Sequence, residues 1–189
     1  MRHKNLVILA ILIALALALT AGSCDVTKKR VKLRDLDPKL KQYEGTKWDG
    51  LKKEKIRYVV SGSKDVDNWS KQSAVVYASL IQAENVIEIA GKDVEKLKKQ
   101  KNSAAEKEAE KNVKLAQDIL TKAAESAPEL LSQGQELANN YKSLIKDATK
   151  LPAIASALSD SLSNLGKTIK ESPDTVKKLT KVGKQLAQL

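Results

Sequence analysis

The chain has 189 residues and a formal net charge of +11, with 34 basic side chains against 23 acidic ones. Its one cysteine is Cys24, its one histidine His3 and its one methionine Met1, and Phe is absent. An internal disulfide is therefore excluded, zinc, copper, haem and iron–sulfur centres lack their usual ligands, and no histidine-based acid–base or Ser–His chemistry is available beyond His3. In chain order, the first element is a charged opening, Met1-Arg2-His3-Lys4, followed by an unbroken apolar run from Leu6 to Leu19 and then Thr20-Ala21-Gly22-Ser23-Cys24. A short positive region, a short apolar core and a small-residue exit form the layout of a secretory signal peptide. The run is shorter than the roughly 20 apolar residues that span a bilayer comfortably.

Residues 1–25 resemble the signal region of bacterial lipoproteins, in which small or apolar residues precede a lipidated cysteine; the family commonly has Leu where this chain has Ala21. The resemblance implies cleavage after Ser23, a diacylglycerol with palmitate-type chains on Cys24, and a new amino terminus open to acylation. It implies export to the cell envelope, on the periplasmic or outer side of a membrane. Asp25 fits the pattern that retains enterobacterial lipoproteins in the inner membrane, and both membranes stay open at this point. Removing Arg2 and Lys4 with the signal peptide lowers the formal charge to +9.

Residues 24–62 are expected as a lipidated basic tether followed by a short apolar arm. Lys28, Lys29, Arg30, Lys32 and Arg34 carry no sustained apolar period and are the candidates for contact with anionic headgroups. A short helix is expected around Asp37–Tyr43. Trp48, Leu51, Ile56, Tyr58, Val59 and Val60 form an apolar patch ending at Gly62, compatible with either a short helix or a strand.

From residue 63 to 189 the composition and period predict an all-α fold: an elongated antiparallel bundle of four to five helices with coiled-coil-like seams. Ser63 to Asp67 offers capping groups for a first long helix. Val76, Leu80, Ala83, Ile87, Ala90, Val94 and Leu97 then recur at alternating spacings of four and three. A second helix is expected over Ser103–Ala127, with a seam through Ala109, Val113, Ala116, Leu120 and Ala123 and an opening third, Ala104 to Lys114, projecting into solvent. Ser126 and Pro128 predict the start of a third helix. Its seam runs through Leu137, Tyr141, Leu158, Leu162, Leu165 and Ile169, with a kink or break at Pro152. Ser172-Pro173-Asp174 predicts a restart, after which Val176, Leu179, Val182 and Leu186 face inward.

Several motifs resemble chemical signatures without their context. Ser61-Gly-Ser-Lys64 and Ser143-Leu-Ile-Lys146 have the Ser-x-x-Lys spacing in which a lysine activates a serine, but in a chain this rich in Ser and Lys such pairs arise by chance. Gly166-Lys167-Thr168 lacks the earlier glycine and the preceding strand of a phosphate loop. Glu84, Glu88, Asp93 and Glu95 are expected on solvent-side positions, and Trp69, Tyr77 and Tyr141 in the bundle core. No catalytic residue, metal site or cofactor is expected. The scattered lysines do not form a nucleic-acid arm, and nucleic acid is the wrong partner for an exported protein.

The functional expectation is a membrane-anchored envelope lipoprotein acting as a non-enzymatic helical interaction or structural module. Its partners would be membrane lipid through acylated Cys24 and an envelope protein. The alternative is a lipid- or amphiphile-binding, membrane-remodelling helical protein, with Thr175–Leu189 as the segment that would lay its apolar seam into a bilayer.

Overall fold

The computed structural model describes residues 26–100, 102–140 and 148–189; Cys24, the signal-like segment, Tyr141 and the Ser143–Lys146 pair lie outside the described residues. Three long helices dominate: α3 (Lys64–Lys99), α4 (Ser103–Asn139) and α5 (Leu151–Leu186). Before them come strand β1 (Lys28–Arg30), α1 (Leu33–Leu36), a 3-10 turn over Pro38–Tyr43, α2 (Leu51–Glu54) and strand β2 (Arg57–Val59). The expected all-α bundle is the observed architecture, running up, down and up.

Direction follows from specific pairs. Near the start of α3, the Trp69 indole donates to the Leu130 carbonyl near the end of α4 at 2.8 Å, so α3 and α4 are antiparallel. Ser70 meets Ser161, Glu84 meets Thr175, and Gly91 lies beside Val182, so α3 and α5 are parallel. At 36 residues, α3 is about 54 Å long at 1.5 Å per residue.

The seam of α3 is buried as the period predicts, from Val76 to Leu97. The seam of α5 differs from its apolar reading. Buried positions run Ser161, Leu165, Thr168, Ser172, Thr175, Val182 and Leu186, whereas Ile169 and Val176 are 41% and 46% exposed. Hydroxyls succeed in the core because each finds a partner, Ser161 across the contact at Ser70 Oγ and the others on their own helix. Ser172 Oγ donates to the Thr168 carbonyl at 2.6 Å, Thr168 Oγ1 to the Asn164 carbonyl at 3.0 Å, and Ser73 Oγ to the Trp69 carbonyl at 2.9 Å.

The new helices expected at Pro128 and Pro173 do not start there, which leaves three long helices where four to five were expected, whereas the break expected at Pro152 falls at the start of α5. Pro128 and Pro173 lie inside continuous helices, both exposed. A proline removes one backbone bond and pushes its ring outward, and both effects are tolerated where the ring faces solvent and the rest of the helix is packed. Pro152 sits in the first turn of α5, where its missing N–H is no loss. Nor does the opening of α4 project freely: Ala109 is fully buried and Ala105 packs against the end of α3. Asn102 caps α4 by accepting from the amides of Ala104 and Ala105. Ser63 makes no capping bond to α3; instead Asp67 holds the preceding turn, accepting from the Ser61 amide and hydroxyl and from the Gly62 amide.

The segment expected as a tether is folded onto the bundle from Val26 onward. β1 and β2 pair antiparallel with Lys29 opposite Tyr58, and the Val31 amide extends the ladder to the Ile56 carbonyl at 2.9 Å. Val31, Leu33, Leu40, Leu51 and Ile56 are buried in one cluster with Ala74, Ala78, Leu80 and Ala83 of α3. The patch over residues 46–62 holds both expected forms, α2 and β2. Gln82 of α3 clamps this arm: its Nε2 donates to the Trp48 carbonyl at 2.6 Å and its Oε1 accepts from the Gly50 amide at 3.0 Å.

Gly134 is where α4 passes the Trp69 ring, and a Cβ there would overlap it. That ring is buried and fixed by its bond to Leu130, so it has no room to retreat. Gly166, in the interior of α5, faces open space. Helix propensity favours Ala over Gly by about 1 kcal/mol at either site, while overpacking costs about 1–3 kcal/mol. Urea unfolding should therefore show Gly134→Ala destabilised by about 1–2 kcal/mol and Gly166→Ala stabilised by about 0.5–1 kcal/mol.

Candidate functional site

A surface concavity lies between α2, α3 and α5, toward the end of the bundle where α3 and α5 finish. It has a volume of about 670 Å³. Ile81, Ile87, Gly91 and Val182 form its apolar part, and Lys53, Glu54, Glu88, Glu95, Lys178 and Lys181 stand around it. The parallel register of α3 and α5 creates the site, because it sets the carboxylates of one helix opposite the lysines of the other. Gly91 keeps the wall low, leaving Val182 Cγ2 3.6 Å from where a Cβ would stand.

Glu84 is the centre of the polar network. Its Oε1 accepts from Thr175 Oγ1 at 3.0 Å and from Lys178 Nζ at 3.2 Å. It is half-buried at the α3–α5 contact rather than on the solvent side expected for it. Glu88 and Glu95 are exposed as expected, each paired with a lysine on its own helix, Lys92 and Lys98. The hydrogen bond from Lys92 and its charge hold the Glu88 carboxyl below the ordinary glutamate range.

Tyr77 stands one heptad before Glu84, half-buried, with Lys167 Nζ 5.4 Å from its ring centre. Burial pushes its phenol above the ordinary value, and the negative charges of Glu171, Glu54 and Glu84 push the same way. Trp69 is in the core as expected.

The Ser61 hydroxyl, read as one half of a Ser-x-x-Lys pair, is committed to Asp67 at 2.6 Å. Gly166, Lys167 and Thr168 are interior residues of α5, not a phosphate loop. Among the described residues no three His, Cys, Asp or Glu side chains come together to hold a metal ion, and no helix is long and apolar enough to cross a membrane.

The five basic residues singled out in the sequence lie on β1, on α1 and between them. Lys28 pairs with Asp160 at 2.9 Å, Arg30 donates to the Leu51 carbonyl at 2.9 Å, and Arg34 pairs with Glu44 at 3.0 Å. Lys29 and Lys32 are exposed. The Glu84 network escaped the sequence reading because its partners lie 91 and 94 positions away. Comparison with protein-family models, with characterised proteins and with solved structures finds no match for this chain.

The direction of the Tyr77 shift sets a pH dependence. A phenol whose folded-state value lies above the unfolded value of 10.0 contributes stability below pH 10 that is lost as pH rises through the folded value. Absorbance titration of the tyrosines should show a phenol that ionises late. Tyr77→Phe should remove that phase and flatten the loss of stability above pH 10, an outcome read by urea unfolding at several alkaline pH values.

Proposed function

We propose that this chain is an envelope lipoprotein, held at a membrane by acyl chains on Cys24, whose bundle serves as a non-enzymatic interaction module. The observation that supports it best is where the chain enters the fold. Val26 packs against the core cluster that contains Val59, Val66 and Leu130, at the end where α3 and α5 begin and α4 finishes. Only Asp25 separates Val26 from Cys24, and two residues reach at most about 7 Å. A lipid on Cys24 would therefore hold this end of the bundle against the membrane surface. Acyl burial contributes about 0.8 kcal/mol per methylene, and two or more chains together give stable anchoring.

With that end held, the far ends of α3 and α5 would point away from the bilayer. The mixed-charge groove around Glu84 and Glu88 begins 20 residues into α3, about 30 Å from the anchored end. It is suited to a protein partner in the envelope that offers its own ion-pairing and hydrogen-bonding groups. Exposed Lys29 and Lys32 would add weak attraction to anionic headgroups, at up to about 1 kcal/mol each.

The alternative, membrane remodelling through Thr175–Leu189, would ask more of the molecule. Val182 and Leu186 are buried in the bundle, and they lie at the end remote from Val26. Opening that end would expose the core cluster they share with Val86, Val94 and Ala109.

Fractionation of cells expressing Cys24→Ser should find the chain in the soluble fraction, against membrane retention of the wild type. Membrane retention of a Cys24→Ser protein whose signal segment has been cleaved would contradict the anchor. Liposomes added to the soluble variant should leave its helicity unchanged; a rise in helicity would favour the alternative.

A further inference from the structure

The hydroxyl-rich seam of α5 leaves an apolar stripe outside the core. Ile169 and Val176 stand one heptad apart and are the most exposed large hydrophobic side chains among the described residues. Val176 borders a groove of about 510 Å³ between α4 and α5, whose other apolar walls are Val113, Leu120, Ala124 and Leu179. The N-terminal arm contributes nothing to this groove. Glu125 is the one charged residue of its lining, while Gln117, Thr121 and Thr180 continue the surface without charge; depletion of charge around exposed apolar groups marks the core of a protein interface.

Two prolines reinforce this reading. Pro128 and Pro173 are both exposed, and each removes the N–H that would have bonded the carbonyl four residues earlier, those of Ala124 and Ile169. The carbonyls that lose a helical donor are thus those of two exposed residues of this side of the bundle.

Charge identifies the occupant. On the α4 side Glu125 lines the groove and Asp118 stands one heptad before it, and the outer edge of α5 carries Lys170, Lys177 and Lys184, of which Lys177 is paired with Asp174 on its own helix. The antiparallel register that puts Gly183 beside Val113 sets Glu125 at the height of Lys170 and Asp118 at the height of Lys177. Lys111 and Lys114 are the like-charged neighbours, both near the height of Lys184 at the far end of the strip. Acidic and basic edges at one height on opposite sides of an apolar strip are self-complementary under a two-fold axis parallel to the bundle. We propose that this face pairs two copies of the chain side by side, α4 of each against α5 of the other. Both Val26 ends then point the same way, as anchoring in one membrane requires; that clause alone rests on the lipoprotein reading. The pairing is isologous and closed, and it forms a four-helix layer from two copies.

The test uses the full chain carrying Cys24→Ser, so that a single introduced cysteine is its only thiol. Ile169→Cys and Val176→Cys are each oxidised and scored for disulfide-linked dimer, with Lys96→Cys, on α3 and away from the α4–α5 face, as the collision control. Both substitutions fall on exposed side chains, and circular dichroism confirms folding. Parallel pairing brings each position to its own copy, so both variants should cross-link well above the control. An antiparallel pairing could bring together at most one of them, since seven residues span about 10 Å. Cross-linking at neither position, or at only one, would overturn the proposal. Glu125→Lys should lower the yield severalfold and Glu125→Lys with Lys170→Glu should restore it; a yield indifferent to Glu125→Lys would also overturn it. Because Cys24 is replaced, failure of the anchor reading would leave both cross-links in place.

Discussion

The parallel contact between α3 and α5 sets the rest of the structure. Ser70 with Ser161 and Glu84 with Thr175 are each 91 positions apart, thirteen heptads, and Gly91 with Val182 keeps the same offset. Two helices that share a heptad period stay in phase along their whole length, so a single offset fixes every layer. The layers are lined with Ser, Thr and Gly, whose small volumes let the backbones approach and whose hydroxyls bond either to their own helix or across the contact. A helix that spends its inward positions on Ser161, Thr168, Ser172 and Thr175 must carry part of its apolar surface elsewhere. The exposure of Ile169 and Val176 and the placement of Glu84 at a helix–helix contact are two consequences of that one choice.

The N-terminal arm depends on the same frame. It closes over α3 through buried Val31, Leu33, Leu40, Leu51 and Ile56 and is pinned by Gln82, whose amide satisfies the Trp48 carbonyl and the Gly50 amide. A buried amide with both ends bonded fixes one register of the arm, since a shifted arm would leave polar groups buried and unpaired, at about 1–3 kcal/mol each. The arm in turn brings Val26 to one end of the bundle. That position gives a lipid on Cys24 a mechanical meaning: it would orient the whole rod rather than leave it on a loose leash. The groove around Glu84 would be presented at a distance from the surface, and the α4–α5 face would lie along the rod, free to meet a neighbour anchored in the same membrane.

The elements most legible in the sequence were those whose packing is apolar and local in period. The α3 seam from Val76 to Leu97 and the α4 seam through Ala109, Ala116, Leu120 and Ala123 are buried where the three-four spacing placed them. The start of α4 at Ser103 falls where the helix was expected, and the structure shows Asn102 capping it. What hydrophobicity misled was α5: Leu162, Ile169 and Val176 trace a more apolar line than the one that is buried, and only the partner helix decides between them. Pro128 and Pro173 read as boundaries because a proline is a breaker in isolation; on an exposed face of a packed helix its cost is one backbone bond. The arm's short apolar alternation, Val31 and Leu33 between Lys32 and Arg34, was too brief to register as a period. Its strand pairing joins residues nearly 30 apart, a relation no local pattern carries. Of the candidate groove, Glu88 and Glu95 could be placed on the surface from spacing alone, but the Glu84–Thr175–Lys178 network needed the fold.

The central claim is that Cys24 carries the lipid that fixes this rod to a membrane, and intact-mass spectrometry of the membrane-extracted protein tests it most directly. A mature chain beginning at Cys24, heavier than its amino-acid sequence by a diacylglycerol group, is the result this account predicts. A chain beginning elsewhere, or one beginning at Cys24 with an unmodified thiol, would contradict it.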